Sequence, residues 1–524
     1  MKIQTNKNFI IKKTAQLSIF GFISRVLGII REVMQGQLLG VGEASDGFLT
    51  AFGVPNLFRK IFESGGITSA LVPHLVKIIH GGDKRRASEL ISAVLFVFDA
   101  LLMVCCLGVL IFPTFVTYLV APGFSPDQVA ATVPLLKIMF PVIIFLATCN
   151  IVSGGLHAIN HFFVPAFGPV IFNIVYLAGL FACLKFNLSV SVMAWVVVLA
   201  GFAKMLSSSV AFWWNGFSFV LPTRACLSDL CIVARRFIPC LISVGALEIS
   251  MFFDKRLASY LPKGSVTLLY YAQRFSMLPY SMLAVALATV LLAHFSLAAL
   301  KNAKRLPFFL LESSKLATWF SLPLMCVMMF VAKSLFADVM LKGRATPADM
   351  STAALLLGML LCALPFQVLN KIMVSVFYAK NDTMSPMYIV MGTTAFSTLF
   401  NYMFIGHLGI YVMAIGLLLA TCLKTVVLGV VLAYKHAIQW PLWKFLVFLK
   451  NLILQLFIGV CIFNFLYATL CQLVAGGAFS VFFSEGASGY WILVLGSLCI
   501  TLGILWITHR RFGIKLYLVP HYGD

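Results

Sequence analysis

Eight cations stand where a lipid-embedded chain can least accommodate them: Arg25, Arg31, Arg59, Lys60, Lys255, Arg256, Arg274 and Lys371 fall inside or at the ends of long apolar runs. A charged side chain facing hydrocarbon costs from about 3 kcal/mol to more than 10, depending on the scale. Each must therefore turn toward protein, water or the membrane surface. Lys60, Lys255 and Lys371 can snorkel to a nearby helix end, whereas Arg25 and Arg274 lie deeper in their runs. Guanidinium forks match phosphate oxygens in pairs, so a cavity with several arginines and few acids suits an anion, diphosphate above all. Asn56, Arg59 and Glu63 recur at i, i+3 and i+7 and share one helix face. On that face Arg59 can bind an anion or pair with Glu63 and join helices. Gly65 and Gly66 follow and permit bending or close approach, which makes Glu63, Gly65 and Gly66 gating positions. Arg25 and Glu32 are seven apart and share a face, while Arg31 points about a third of a turn away.

The elements that must position these groups are membrane helices. The chain of 524 residues is 61% hydrophobic and only 10% charged, and its mean hydropathy is +1.01. Such a composition excludes a soluble enzyme and predicts an all-α polytopic membrane protein. Fourteen apolar segments can be read, several of them long, including Asp46–Val76, Leu90–Val120, Val129–Leu156, Val164–Leu184 and Thr352–Tyr378. Pro55, Pro141, Pro279 and Pro365 lie inside segments and mark expected kinks. Lys and Arg number 38 against 17 Asp and Glu, a net charge of +21. The excess is topological and implies no nucleic acid. Lys84, Arg85, Arg86, Arg235, Arg236, Lys304, Arg305, Arg510 and Arg511 all fall on one side if the amino terminus is cytoplasmic, so both termini are expected there. The amino-terminal stretch lacks a short apolar core with a small-residue cleavage site, so no cleaved leader is expected. The thirteen cysteines include no C-x-x-C pair and read as reduced packing residues. Dispersed histidines such as His74, His157 and His294 show no metal-ligand spacing.

An internal echo organises the helices. Asn160 precedes Pro165 and Asn381 precedes Pro386, each pair in the connection between the fourth and fifth helices of a group of six. Two six-helix lobes related by pseudo-two-fold symmetry follow, residues 1–220 and 221–437, with two appended helices in 438–524.

The run Ser24-Arg25-Val26-Leu27-Gly28-Ile29-Ile30-Arg31-Glu32, then Ala44-Ser45-Asp46-Gly47-Phe48 and Pro55-Asn56-Leu57-Phe58-Arg59-Lys60, resembles the opening signature of the MurJ (MviN) family of lipid II flippases. Ala121-Pro122-Gly123-Phe124 and Tyr270-Tyr271-Ala272-Gln273-Arg274 are similar to further family motifs. The resemblance implies fourteen helices, placement in the bacterial inner membrane, and an alternating-access flippase that makes and breaks no bond. Its implied substrate is lipid II, an undecaprenyl-diphosphate-linked disaccharide-peptide. It makes Arg25, Arg31, Arg59 and Arg274 the cations that contact the diphosphate, Asn56 and Thr267 polar liners, and Asp46 a residue of the outer gate. It implies no cofactor; a membrane potential or an ion gradient supplies the energy. Besides the bilayer, the cell-wall synthesis machinery is a candidate partner. Asp254 resembles a sodium-binding acid of some relatives, weakened here by the adjacent Lys255 and Arg256. Two departures stand out: the acid after the second-helix arginines is Glu63, one position earlier than usual, and Gln273 replaces an acid. Two other readings fit less well. An exporter of another polyprenyl-diphosphate glycan needs the same cations, and a membrane glycosyltransferase needs exposed carboxylates that the outer connections scarcely offer.

Overall fold

Apolar runs of twenty or more residues leave the backbone no water to bond to, and the helix satisfies every interior amide within the segment. The computed structural model describes residues 7–61, 67–220, 226–301, 303–340, 345–380, 382–438, 440–475, 488–512 and 514, and within them the regular structure is helical throughout. The helices are α1 (Lys7–Leu39), α2 (Glu43–Ile61), α3 (Ile67–His80), α4 (Lys84–Ile111), α5 (Pro113–Val120), α6 (Pro126–Met139), α7 (Val142–Ala158), α8 (Phe163–Phe186) and α9 (Val190–Trp214). They continue as α10 (Cys226–Ala258), α11 (Ser265–Lys301), α12 (Leu306–Met340), α13 (Pro347–Cys362), α14 (Leu364–Ala379), α15 (Met384–Leu408), α16 (Tyr411–His436), α17 (Leu442–Ala475) and α18 (Ser488–Thr508).

These helices fall on the fourteen expected segments. The segment Leu90–Val120 divides into α4 and α5 at Pro113, Val129–Leu156 into α6 and α7 at Pro141, and Thr352–Tyr378 into α13 and α14 next to Pro365. Proline has no amide to donate and its ring crowds the preceding turn, so a helix stops or re-starts there. Pro55 and Pro279, by contrast, lie inside α2 and α11, which run on through them. Among the described residues, nine helical segments are long and apolar enough to cross a membrane. Their outward faces fit that setting: Phe96, Val104 and Ile111 of α4 are exposed where a soluble protein would carry charge, while Ile91 and Val94 are buried.

The chain divides into two compact units, one of residues 1–267 with 339–345 and one of residues 268–338 with 346–524. In the first, α1 packs on α8, α8 and α7 on α9, and α2 on α6. Asn160 adopts φ 61° at the α7–α8 turn, a left-handed conformation that asparagine tolerates better than most residues, which accounts for its place in the repeated motif. Its counterpart Asn381 lies outside the described residues. Midway along α4, the Asp99 carboxylate accepts from the Thr148 hydroxyl of α7 at 3.0 and 3.2 Å, a polar bond joining two helices at membrane depth.

In the second unit, α16 packs against α13, α14 and α15. There the Asn370 amide donates to the Thr421 carbonyl at 3.0 Å and accepts from the Thr425 hydroxyl at 2.9 Å. Helix α17 packs through Phe445, Phe448 and Leu452 against Leu311 and Trp319 of α12 and Leu505 of α18. At the connection before α15, Asp382 accepts from Lys435, His436 and Ser385. Burial pushes its carboxyl up, but these bonds outweigh that and hold it well below the usual carboxylate range.

Candidate functional site

Within the first unit the polar side chains singled out from sequence fall in three places. On α2, Arg59 donates its Nε to the Asn56 Oδ1 at 2.9 Å, as the i, i+3 spacing predicts. The pair is partly buried. Glu63, Gly65 and Gly66, read from sequence as gating positions, lie outside the described residues, and so does the Lys60 side chain.

On α1, Arg25 is exposed and Arg31 is buried. Arg31 donates to Glu32 Oε1 at 2.6 Å and to Asn173 Oδ1 of α8 at 3.1 Å, and its guanidinium stands 5.3 Å from the centroid of the Tyr176 ring. A buried guanidinium needs this compensation, because removing it from water unpaired would cost several kcal/mol. The two arginines of the first helix are therefore unlike: Arg25 is presented, and Arg31 is built into the α1–α8 seam.

The third place is the end of α2 that carries Asp46. Its carboxylate accepts from the Gly264 amide at 2.6 Å, the Thr267 amide at 2.8 Å and the Thr267 hydroxyl at 2.5 Å. Asp46 occupies the first turn of α2, where the helix dipole favours an anion. Gly264 has φ +92°, a conformation open to glycine, and so can turn its amide toward the carboxylate. Lys263 pairs with Glu43 beside it. Thr267, expected by resemblance to line the substrate path, is fully buried and commits both its amide and its hydroxyl to Asp46.

Around this latch the Ala-Pro-Gly-Phe motif finds its physical reason. The Gly123 amide donates to Ser259 Oγ at 3.0 Å, and Arg256 donates to the Leu119 carbonyl at 2.7 Å. A Cβ on Gly123 would strike the Ser259 carbonyl and come within 2.6 Å of the Tyr260 Cα. Main chain cannot swing aside as a side chain can, so Gly123→Ala should force the two connections apart. We expect it to lower stability by about 1–3 kcal/mol, read as a fall in the Tm of the purified protein; an unchanged Tm would contradict this packing.

At the opposite end of α10, Asp229 accepts from His74 Nε2 of α3 at 2.9 Å and from Arg86 of α4 at 2.9 Å. Sequence reasoning missed this tie, because Asp229 is more than 140 positions from both His74 and Arg86. Burial pushes the Asp229 carboxyl up, yet the hydrogen bonds from His74 and Arg86 outweigh it and hold the group below the usual carboxylate range. The stability it contributes is thus complete above its unfolded value of about 4 and is lost as the pH falls through the lower folded value. Asp229→Asn should cost about 1–2 kcal/mol at neutral pH, and the gap from the native protein should close below about pH 4. Thermal unfolding across that range checks it, and a gap that widens with acid would refute it.

Arg274, the fourth arginine expected at the diphosphate, is exposed on α11 and belongs to the second unit. Asp254 is half-buried on α10. Among the described residues, no three His, Cys, Asp or Glu side chains gather as a metal site would require.

Long apolar helices broken at proline, with cations placed along them, define a polytopic membrane protein. A solved structure described as an inward-facing multidrug resistance MATE family transporter of the MOP superfamily shares the fold at a TM-score of 0.64 and 16% identity, covering 76% of this chain and 92% of that one. A second, "Lipid II flippase MurJ, inward closed conformation", matches at a TM-score of 0.76 and 22% identity, covering 94% and 99%. The family pattern described as "Lipid II flippase MurJ" matches residues 36–483. The probable lipid II flippase MurJ of Buchnera aphidicola subsp. Acyrthosiphon pisum is 30% identical over 404 residues, 75% of this chain and 78% of that protein. The chain belongs to the MurJ family of lipid II flippases.

Proposed function

We propose that this protein carries lipid II from the cytoplasmic to the periplasmic leaflet of the bacterial inner membrane by alternating access, with both termini in the cytoplasm. The observation that carries the reading is the pattern of cations on α1 and α2, where Arg25, Arg31 and Arg59 occur in a chain of this family with few acids beside them. Moving a diphosphate through hydrocarbon requires that its hydration be replaced, and guanidinium donors at fixed positions do this without first reorganising. Arg25 and Arg59, with Arg274, contact the diphosphate; Asn56 orients Arg59; the polyprenyl tail stays in lipid.

The lobes of residues 1–220 and 221–437 rock about the site, and the Asp46 latch is the contact that breaks when the periplasmic side opens. A negative-inside potential contributes about 2.3 kcal/mol per charge per 100 mV. It drives the anionic head group outward and returns the positively charged empty site inward.

The test uses purified protein in sealed vesicles with lipid II in one leaflet, and in a parallel set a polyprenyl monophosphate-linked sugar. Outward transfer of lipid II, faster under a negative-inside potential and at least about tenfold slower for the monophosphate, is expected. Equal handling of the two lipids would remove the diphosphate reading, and equal rates in polarised and depolarised vesicles would remove the potential as driving force.

A further inference from the structure

The α1–α8 seam holds more polar contact than packing two apolar helices requires. Ser24, Gly28, Arg31 and Gln35 follow one another at i, i+4, i+7 and i+11 and form one stripe along α1. Asn173 and Tyr176, one turn apart on α8, meet that stripe. The Asn173 Oδ1 accepts from Arg31 at 3.1 Å, while its Nδ2 donates to the Ser24 carbonyl at 3.0 Å and to the Ser24 hydroxyl at 3.2 Å. Tyr176 donates its hydroxyl to Gln35 Oε1 at 2.9 Å. The bridge passes close to Gly28, where a Cβ would stand 3.9 Å from Asn173 Nδ2, an ordinary contact. Asn173 and Arg31 are both more than nine-tenths buried.

The amide is suited to this place because it accepts on one side and donates on the other. Its orientation is fixed by its neighbours, since a flipped amide would turn its NH2 toward the guanidinium donors and its oxygen toward the Ser24 carbonyl. Leucine of similar size could fill the space and make none of the bonds. Aspartate could accept from Arg31 but could not donate to Ser24. The bridge spans two turns of α1, from the residue immediately before Arg25 down to Arg31, so it sets the rotation of the helix that presents Arg25.

We propose that Asn173 is a positioning residue for the anion-binding Arg25: from α8, through Ser24 and Arg31, it fixes the rotation of α1 and thereby presents Arg25 to the diphosphate. The inference rests on the reading of Arg25 as a diphosphate-handling residue. Asn173 itself touches no substrate. Its effect must therefore run through the arginines, which separates positioning from simple helix-joining.

The experiment measures lipid II binding to the purified full chain for the native protein, Asn173→Leu, Arg25→Ala, Arg31→Ala and the double variant Asn173→Leu with Arg25→Ala. Loss of hydrogen bonds to a charged group should weaken binding by Asn173→Leu about tenfold. In the Arg25→Ala background the same change should alter affinity less than about twofold, because the residue being positioned is already gone. Asn173→Asp provides a second route should the leucine variant fold poorly: it keeps the Arg31 bond and loses those to Ser24, so it should weaken binding, though less than Asn173→Leu. Native affinity in either Asn173 variant, or an effect of full size in the Arg25→Ala background, would overturn the proposal. If Arg25→Ala itself binds lipid II normally, the anion reading fails and this inference falls with it. If it binds weakly while Asn173→Leu binds normally, only the positioning role is lost.

Discussion

Arg25→Ala and Arg59→Ala should each slow outward transfer of lipid II by at least about a hundredfold while leaving the Tm within a few degrees of the native protein. The magnitude follows from what a buried anion loses with one partner, about 3–5 kcal/mol, at about 1.4 kcal/mol per factor of ten. The preserved stability follows from the structure: Arg25 is exposed, and Arg59 is only partly buried against Asn56. Arg31→Ala should behave differently. It removes the donor that Glu32 and the Asn173 carbonyl share in a buried seam, so it should lose stability as well as transport. Transfer rates and thermal unfolding on the same preparations check the contrast. Arg25→Ala unfolding as readily as Arg31→Ala would contradict the division of labour between the two arginines.

Asp46→Ala carries the second large effect. It removes the acceptor shared by the Gly264 amide, the Thr267 amide and the Thr267 hydroxyl. Hydrogen bonds to a charged acceptor are worth about 1.5–3 kcal/mol each, partly recovered here by water at the helix end. A net loss of about 2–3 kcal/mol should raise opening of the latch roughly 30- to 150-fold. Amide hydrogen exchange at Gly264 and Thr267 should accelerate by that factor, and turnover should fall as the two faces cease to alternate cleanly. Exchange at the native rate in Asp46→Ala would show that the carboxylate does not hold this connection.

Much of the fold could be read from the sequence because one physical demand dominates it. A backbone in lipid must be helical, so apolar length located the segments, and of the four interior prolines read as kinks Pro141 and Pro365 fall at breaks, while the break at Pro113 was not singled out. Why Pro55 and Pro279 leave their helices continuous was not legible, since that depends on how neighbours accommodate each ring. Residue types and spacing also located the Asn56–Arg59 pair, a local contact fixed by helix geometry. Tertiary pairing was out of reach. Nothing in the run Val164–Leu184 marks Asn173 as the partner of Ser24 and Arg31, although a lone amide in so apolar a segment is itself a signal worth following. Asp46 was placed at a gate by family likeness, but the three donors it holds come from residues more than two hundred positions away. Thr267 shows the same limit, because a hydroxyl near a transport path looks alike whether it lines the path or closes it.

The most direct measurement depletes the protein from growing cells and assays lipid II in each leaflet, with rescue by the native chain or by Arg25→Ala, Arg59→Ala or Arg274→Ala. The native chain should restore lipid II to the periplasmic leaflet, and each normally expressed arginine variant should leave it on the cytoplasmic side. Full outward transfer by those variants would contradict the claim that these guanidinium groups carry the diphosphate across.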